Sequence, residues 1–255
     1  MTQSPLVSEG PCVRGVTRLT LDRPDQANAI SAELADALLT AFDRAAVDGT
    51  RVLVLTARGR SFSGGFDFGG YEAASEGDLL LRFVRIEQML QRLWASPFVS
   101  IASVNGVAFG AGADVVAACT YRVGSNRSRF RFPGYRFGVA LGTSRLAAVV
   151  GQQTARDILL ANRILNGEEA LACSLLTHLE ANESLDEVVE MLIEQISDLD
   201  PISLATLLSR SRNGEDNAAT DLAHLVTSVS RSGLHERIKQ YRAANSRPKD
   251  GQAKP

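Results

Sequence analysis

Two glycine-rich segments constrain the fold of this 255-residue chain more than any other feature. Residues 61–67 read Ser-Phe-Ser-Gly-Gly-Phe-Asp, and residues 105–114 read Asn-Gly-Val-Ala-Phe-Gly-Ala-Gly-Ala-Asp. Each follows a β-like apolar run, at 52–55 and 99–104 respectively, and each is predicted to lead into a helix. Glycine permits sharp turns and close approach to backbone N–H groups, and a helix start presents unpaired N–H donors. Brought together, two such turns predict a site where two amides hold one negative oxygen.

Strand and helix patterns alternate over the first part of the chain. The alternation of apolar and polar residues predicts a strand at 16–21. Ser31 is a predicted N-cap for a helix that reaches about Val47. Apolar residues at helical spacing from Leu79 to Leu93 predict a second helix. Strands that alternate with helices favour an α/β fold with a largely parallel sheet.

The last third of the chain is predicted to be helical. Residues 184–187 have the pattern of a capping box. Residues 200–201 are Asp-Pro, and proline suits the first position of a helix. We therefore predict an α/β core over residues 1–180 and a helical region over residues 181–255, whose last residues are expected to be flexible.

Composition disfavours several classes of function. The net charge of −2 gives no general attraction to nucleic acid, and the longest apolar region is too interrupted to predict a membrane span. Cys12, Cys119 and Cys173 lie far apart without a His/Cys cluster, so no metal site is expected. Free thiols indicate a reducing compartment, and no secretory signal is visible. We expect a cytoplasmic protein without nucleic-acid or membrane partners.

Five motifs in order resemble the crotonase, or enoyl-CoA hydratase/isomerase, superfamily. The two glycine-rich segments are similar to its two oxyanion-hole motifs, and the likeness covers roughly residues 13 to 180. The remaining matching residues are 22–24 with 27–31, 142–146, and 162–164 with 169–170.

The resemblance implies a crotonase-type spiral of β-β-α units with C-terminal helices used for trimerisation, as a homotrimer or a dimer of trimers. It implies an acyl-CoA substrate whose carbonyl lies between the backbone N–H groups of Phe66 and Ala111. Coenzyme A enters only as part of this substrate, and no other cofactor is expected. Both side chains differ from the common alanine and glycine, and Phe66 is expected to narrow the site or contact the acyl group. The residues expected along the CoA ester are Ala27, Ala29, Ser63, Gly65, Asp67 and Phe68.

The sequence departs from the family pattern at the acid/base pair. Hydratases of this family use two glutamates, and the first corresponds to Asp114, whose shorter side chain has an ordinary pKa near 3.9. Such a group is a weak base unless burial raises its pKa. The second corresponds to Gly134, which has no side chain. Three alternatives follow from the missing glutamate. In the first, Asp114 acts alone with a bound water, and in the second, Tyr135 or Arg136 supplies the missing polar group. In the third, hydratase activity is lost.

We therefore expect an acyl-CoA-processing enzyme of the hydratase/isomerase type that stabilises an enolate-like oxyanion. One alternative is a catalytically impaired acyl-CoA-binding or assembly paralogue, which the missing glutamate favours. Another is a crotonase-fold hydrolase or decarboxylase. Dinucleotide binding is disfavoured, because Val115 occupies the position of the third glycine in that signature.

Several polar residues are expected to have structural roles. Asp67 is predicted to stabilise the turn or helix start beside Phe66. Arg136 and Arg145 are predicted to form ion pairs or subunit contacts. The histidines at 178, 224 and 235 lie outside the motifs and are expected to serve ordinary surface or packing roles.

Overall fold

A computed structural model of the chain describes residues 6–212 and 218–246. The tail after residue 246, predicted to be flexible, lies outside the described residues. The strands are β1 (Val7–Glu9), β2 (Val16–Leu21), β3 (Val52–Ala57), β4 (Ser61–Ser63), β5 (Val99–Val104), β6 (Val107–Phe109), β7 (Tyr121–Ser125), β8 (Arg129–Arg131), β9 (Leu165–Asn166) and β10 (His178–Glu180). The helices are α1 (Ala32–Val47), α2 (Glu76–Trp94), α3 (Ala111–Ala118), α4 (Thr143–Val150), α5 (Gln152–Ala161), α6 (Gly167–Ala172), α7 (Leu185–Ser197), α8 (Pro201–Ser211), α9 (Ala218–Val229) and α10 (Leu234–Ser246).

The strands form two sheets. The larger has the order β1-β2-β3-β5-β7-β10 and is parallel except for β1. The smaller has the order β4-β6-β8-β9 and is parallel except for β9. The prediction of an α/β fold with a largely parallel sheet is confirmed. The second sheet was not predicted, because its strands are too short to give a clear pattern in the sequence.

A β-β-α unit recurs along the chain as β3-β4-α2, β5-β6-α3 and β7-β8-α4. In each unit the first strand joins the larger sheet, the second joins the smaller sheet, and a helix follows. This repetition is the predicted spiral of β-β-α units. It also aligns β4, β6 and β8 in parallel, so their carboxyl ends meet at one edge, where ligands of parallel sheets commonly bind.

The larger sheet is buried on both faces. Successive side chains of a strand point to opposite faces, and those of β3 enter two different apolar clusters. On β3, Leu53 and Leu55 belong to the main core, which also contains apolar residues of α1, α2 and α3. Val52 and Val54 belong to a second cluster with α7 and α8. Helix α10 contributes Ile238 to the main core. The helices that follow β10 therefore pack against both faces of the α/β core.

The helix N-caps predicted from the sequence can be compared with the hydrogen bonds at the helix starts. Ser31 caps α1, because its hydroxyl accepts the N–H of Leu34 at 3.2 Å, and Asp200 caps α8 through the N–H of Ser203 at 2.8 Å. The capping box predicted at 184–187 was wrong, since the Ser184 side chain makes no capping bond. Ser184 closes a short 3₁₀ turn, and its φ of −101° and ψ of 4° differ from the extended backbone of a typical cap.

The first glycine-rich segment does not lead into a helix, contrary to the prediction. The Asp67 carboxylate accepts the N–H of Gly69 at 2.8 Å and closes a local turn, which competes with helical bonding. Helix α2 begins only at Glu76. The second segment does lead into a helix, since α3 begins at Ala111.

Candidate active site

A cavity of about 90 Å³ lies at the carboxyl ends of β4, β6 and β8. A water-sized group needs about 10–15 Å³ on this measure, so the space suits a short chain of atoms. Most of the wall is aromatic or backbone. Its phenylalanines are Phe66, Phe68, Phe83, Phe109, Phe132 and Phe137.

The two glycine-rich segments touch at the wall of this cavity. A methyl group on Gly65 would overlap the carbonyl oxygen of Phe109 and would lie 3.4 Å from the backbone nitrogen of Ala111. Gly65 also has a φ of 94°, which disfavours any other residue. Only glycine at this position lets the two segments approach so closely.

Two unpaired amides belong to residues that line the cavity, Phe66 and Ala111. Ala111 is the first residue of α3, so its N–H has no acceptor within the helix. In the described part of the chain, neither N–H has a hydrogen-bond partner. By contrast, the next N–H, of Asp67, donates to the carbonyl of Ile30 at 3.0 Å. The two candidate donors are therefore free to bind a ligand.

The Phe66 side chain forms part of an aromatic wall. Its ring stacks on Phe83 with centroids 4.2 Å apart and meets Phe68 edge-on at 5.1 Å. These contacts leave the side chain buried and hold it in the wall of the cavity.

Asp114 lies in the first turn of α3, and its buried carboxyl lines the same cavity. Among the described residues, its Oδ1 has no hydrogen-bond partner. A side chain at Gly142 would overlap this oxygen, so glycine there leaves it room. Burial raises the pKa of Asp114 well above its ordinary value, although the Arg145 guanidinium opposes this and Glu87 adds to it. The carboxyl therefore keeps its proton to higher pH than a free aspartic acid.

A buried ion pair supports the helices behind Asp114. Arg145 donates to both carboxylate oxygens of Glu87, at 3.0 and 2.6 Å, and both side chains are almost completely buried. Asp221 lies 3.7 Å from the same guanidinium. The predicted ion pair of Arg145 is confirmed, and it joins α2, α4 and α9.

No second carboxyl stands where the family pattern has one. A side chain at Gly134 would lie 2.7 Å from the carbonyl oxygen of Val139, so the loop has no room for it. Tyr135 lines the cavity, but this residue is half-exposed and its hydroxyl shares a hydrogen bond of 2.9 Å with the Thr143 hydroxyl. Arg136 donates to a backbone carbonyl of α5. Of the described residues that line the cavity, Asp114 alone carries a carboxyl.

The residues predicted along the CoA ester lie on two segments joined by hydrogen bonds. The Ala27 carbonyl accepts the N–H of Gly64 at 2.7 Å, and the Gly65 carbonyl accepts that of Ile30 at 2.6 Å. Ala27 is exposed and Ala29 is partly buried. Of the other residues predicted along the CoA ester, Ser63 is fully buried and Phe68 lines the cavity.

Buried polar contacts hold this pair of segments together. The Asn28 amide donates to the carbonyls of Arg58 and Ser61, both at 2.9 Å. Asp67 binds the Arg23 guanidinium at 3.0 Å as well as the turn N–H described above. The predicted turn-stabilising role of Asp67 agrees with these bonds. Asn28 lies inside the early motif, but its burial was not evident from the sequence.

Sequence reasoning did not select two polar residues of the cavity, Arg131 and Tyr241. Tyr241 belongs to the apolar stripe of α10, and its ring centroid lies 4.9 Å from that of Phe137. This contact depends on α10 folding back over the loop after β8, which no local pattern reveals.

Outside the cavity, the histidine, cysteine and acidic side chains of residues 6–212 and 218–246 form no metal site. No three His, Cys, Asp or Glu side chains converge there as metal ligands, and no helix there is long and apolar enough to cross a membrane. His178, His224 and His235 lie outside the cavity lining. Burial raises the pKa of the Cys119 thiol to about 12, which leaves it unreactive.

A family model described as enoyl-CoA hydratase/isomerase matches residues 12–240. The chain belongs to the enoyl-CoA hydratase/isomerase family. The crystal structure of a Bordetella parapertussis protein assigned as an enoyl-CoA hydratase/isomerase is 38% identical, with a TM-score of 0.90 over 96% of this chain and 100% of that one. The enoyl-CoA isomerase/hydratase fer4 of Mycosarcoma maydis is 28% identical over 203 residues, which is 74% of each chain.

A more distant enoyl-CoA hydratase structure, from Bacillus halodurans, is 21% identical with a TM-score of 0.83, over 92% of this chain and 100% of that one. This likeness supports the fold alone. Together with the family match, it confirms the crotonase-type fold and the enzyme family predicted from the glycine-rich motifs.

Proposed function

We propose that this family member binds an acyl-CoA thioester and shifts a double bond within its acyl group, with Asp114 as the proton carrier. The observation that carries the proposal is the pair of unpaired N–H groups, of Phe66 and Ala111, beside one buried carboxyl. Donors aimed at the carbonyl oxygen favour an enolate-like transition state over the ground state.

The proposed reaction needs one carboxyl and no co-reactant. Ionised Asp114 removes a proton from the carbon next to the thioester carbonyl of a 3-enoyl group, and the electron pair moves to the carbonyl oxygen between the two amides. Protonated Asp114 then returns the proton to the far end of the former double bond. The electrons shift back to give the conjugated 2-enoyl thioester. A raised pKa makes the Asp114 carboxylate a stronger base for this step.

Isomerisation suits this cavity better than hydration does. Water addition in this family uses two glutamates, whereas Gly134 leaves no space for the second. The CoA portion is proposed to lie along the joined segments that contain Ala27, Ala29 and the turn from Ser63 to Phe68. No metal or redox cofactor enters this proposal.

A second candidate, binding of acyl-CoA without turnover, is favoured by the buried Asp114 keeping its proton. The two are separated with the full chain, supplied with but-3-enoyl-CoA, but-2-enoyl-CoA and unreactive butyryl-CoA. We expect binding of butyryl-CoA by calorimetry and isomerisation of but-3-enoyl-CoA faster than hydration of but-2-enoyl-CoA. Binding without either reaction supports the second candidate, and absence of all CoA-ester binding contradicts both.

Assembly and location are further proposals. We expect a trimer or a pair of trimers, which light scattering of the purified chain would test against the mass of the 27.3 kDa monomer. We also propose a cytoplasmic location, which the unpaired cysteines favour and which fractionation of cells would test.

A further inference from the structure

We propose that the acyl group of the substrate ends in a carboxylate, which Arg131 and Tyr241 bind at the wall of the cavity. This inference rests on the proposed acyl-CoA function, because it assigns the acyl end of the same site. The acyl group would be a short dicarboxylic half-thioester.

The position of Arg131 follows from the register of the smaller sheet. Arg131 pairs with Phe109 in the parallel β6–β8 ladder, so both side chains leave the same face, and both line the cavity. The guanidinium reaches Asn162, after α5, and Asn245, on α10. Leu159 of α5 and Tyr241 of α10 also line the cavity.

The partners of Arg131 leave its charge uncompensated. Its Nε donates to the backbone and side-chain oxygens of Asn162 at 3.1 and 3.2 Å, and Nη1 donates to Asn245 at 3.2 Å. All three acceptors are neutral. Among the described residues, Arg131 forms no ion pair and its Nη2 has no hydrogen-bond partner. Arg131 is partly exposed and borders the cavity, so a carboxylate bound there would be its ion-pair partner.

Tyr241 adds a second donor at the same place. Within the described chain, its hydroxyl has no hydrogen-bond partner, although its ring is half-buried against Phe137. Burial raises the pKa of Tyr241, and the charge of Arg131 opposes that rise, so the two groups lie close enough to interact. A guanidinium and a neutral phenol together offer the donors that a carboxylate accepts.

The carboxyl in the cavity does not pair with Arg131. Asp114 is the described lining residue with a carboxyl, and the charges that act on it are those of Arg145 and Glu87 rather than Arg131. The rest of the lining is apolar, aromatic or backbone. The small volume limits the acyl group to a few carbons between the thioester and its carboxylate end.

The test compares glutaryl-CoA with glutaramyl-CoA, in which a neutral amide replaces the terminal carboxylate at nearly the same size. Binding to the full chain is measured by calorimetry, and neither saturated ester can isomerise. We expect glutaryl-CoA to bind about tenfold more tightly or better, as is typical of a hydrogen bond to a charged group. Arg131→Gln should abolish this preference, and Tyr241→Phe should reduce it a few-fold.

Arg129→Gln is the matched control, because Arg129 lies on the same strand but, within the described chain, its guanidinium donates only to the carbonyls of Asn126 and Ser128. It should keep the full preference. If Arg131→Gln does not fold by circular dichroism, Arg131→Lys, which keeps the charge, should retain part of the preference. Equal binding of both esters by the unmodified chain would overturn this inference and leave the acyl-CoA function intact. Failure to bind either ester, with butyryl-CoA still bound, would also overturn this inference alone. Failure to bind butyryl-CoA as well would overturn the proposed function itself.

Discussion

The two sides of the cavity differ in how far they follow the family pattern. At the ends of β4 and β6, two backbone N–H groups remain unpaired even though phenylalanine and alanine replace the common residues. At the end of β8, the glutamate position has become Gly134, and the loop has closed over the space for a side chain. Backbone donors are retained when side chains change, whereas a carboxyl is removed by a single substitution.

The largest effect is expected at the single carboxyl. Asp114→Asn keeps the shape of the side chain but cannot accept a proton, so we expect isomerisation to fall by about 10²–10⁴-fold. Binding of butyryl-CoA should change little, as calorimetry would show. Asp43→Asn is the control, because Asp43 is an exposed partner of Arg92 on the helix surface. Unchanged turnover in Asp114→Asn would show that the carboxyl side of the cavity is not the reactive side.

A slightly smaller effect is expected at the amide side. Ala111→Pro removes one N–H at the first position of α3, where proline is tolerated, and should lower the rate by about 10²–10³-fold. Gln152→Pro is the matched control, since Gln152 is also the first residue of a helix after a glycine, at an exposed site. Steady-state rates and melting curves of both variants would separate the loss of a donor from a loss of folding. Equal rates in the two variants would argue against an amide donor at 111.

The closed loop predicts a change in stability. Gly134→Ala places a methyl group 2.7 Å from the Val139 carbonyl oxygen, so we expect a loss of about 1–3 kcal/mol in the free energy of unfolding. Gly77→Ala in α2 has space, with its nearest contact at 3.7 Å, and should stabilise the chain by roughly 0.5–1 kcal/mol. Urea unfolding measures both. A neutral Gly134→Ala would mean that the glutamate position is open after all.

The smallest effect is a pH-dependent change in stability. Because burial raises the pKa of Asp114 in the folded chain, its favourable contribution is complete below the unfolded pKa near 3.9 and is lost as pH rises through the folded pKa. Asn at this position has no proton to lose, so the Tm of Asp114→Asn relative to the unmodified chain should increase with pH over this window. Parallel melting curves across the pH range would test this. A constant difference would contradict the raised pKa.

Much of the fold was predictable, because local signals and the motifs agreed. Ser31, Asp200 and the apolar strands mark their elements in the sequence. The helix expected directly after the first glycine-rich segment was wrong, because the Asp67 carboxylate accepts the N–H of Gly69 and closes a turn there instead. The glycine-rich motifs located Phe66, Ala111 and Asp114 at one cavity.

The other residues of the cavity depend on contacts between distant segments. Arg131 looks like an ordinary strand residue until β8 pairs with β6, and Tyr241 reaches the cavity only because α10 packs over the loop after β8. The absence of a side chain at Gly134 was visible in the sequence, but the carbonyl of Val139 that closes this position was not.

We propose that the amides of residues 66 and 111 together bind the thioester oxygen, and a crystal structure with unreactive butyryl-CoA tests this directly. We expect both backbone nitrogens about 2.7–3.1 Å from that oxygen. A bound thioester whose oxygen contacts neither nitrogen, or water alone, would contradict it.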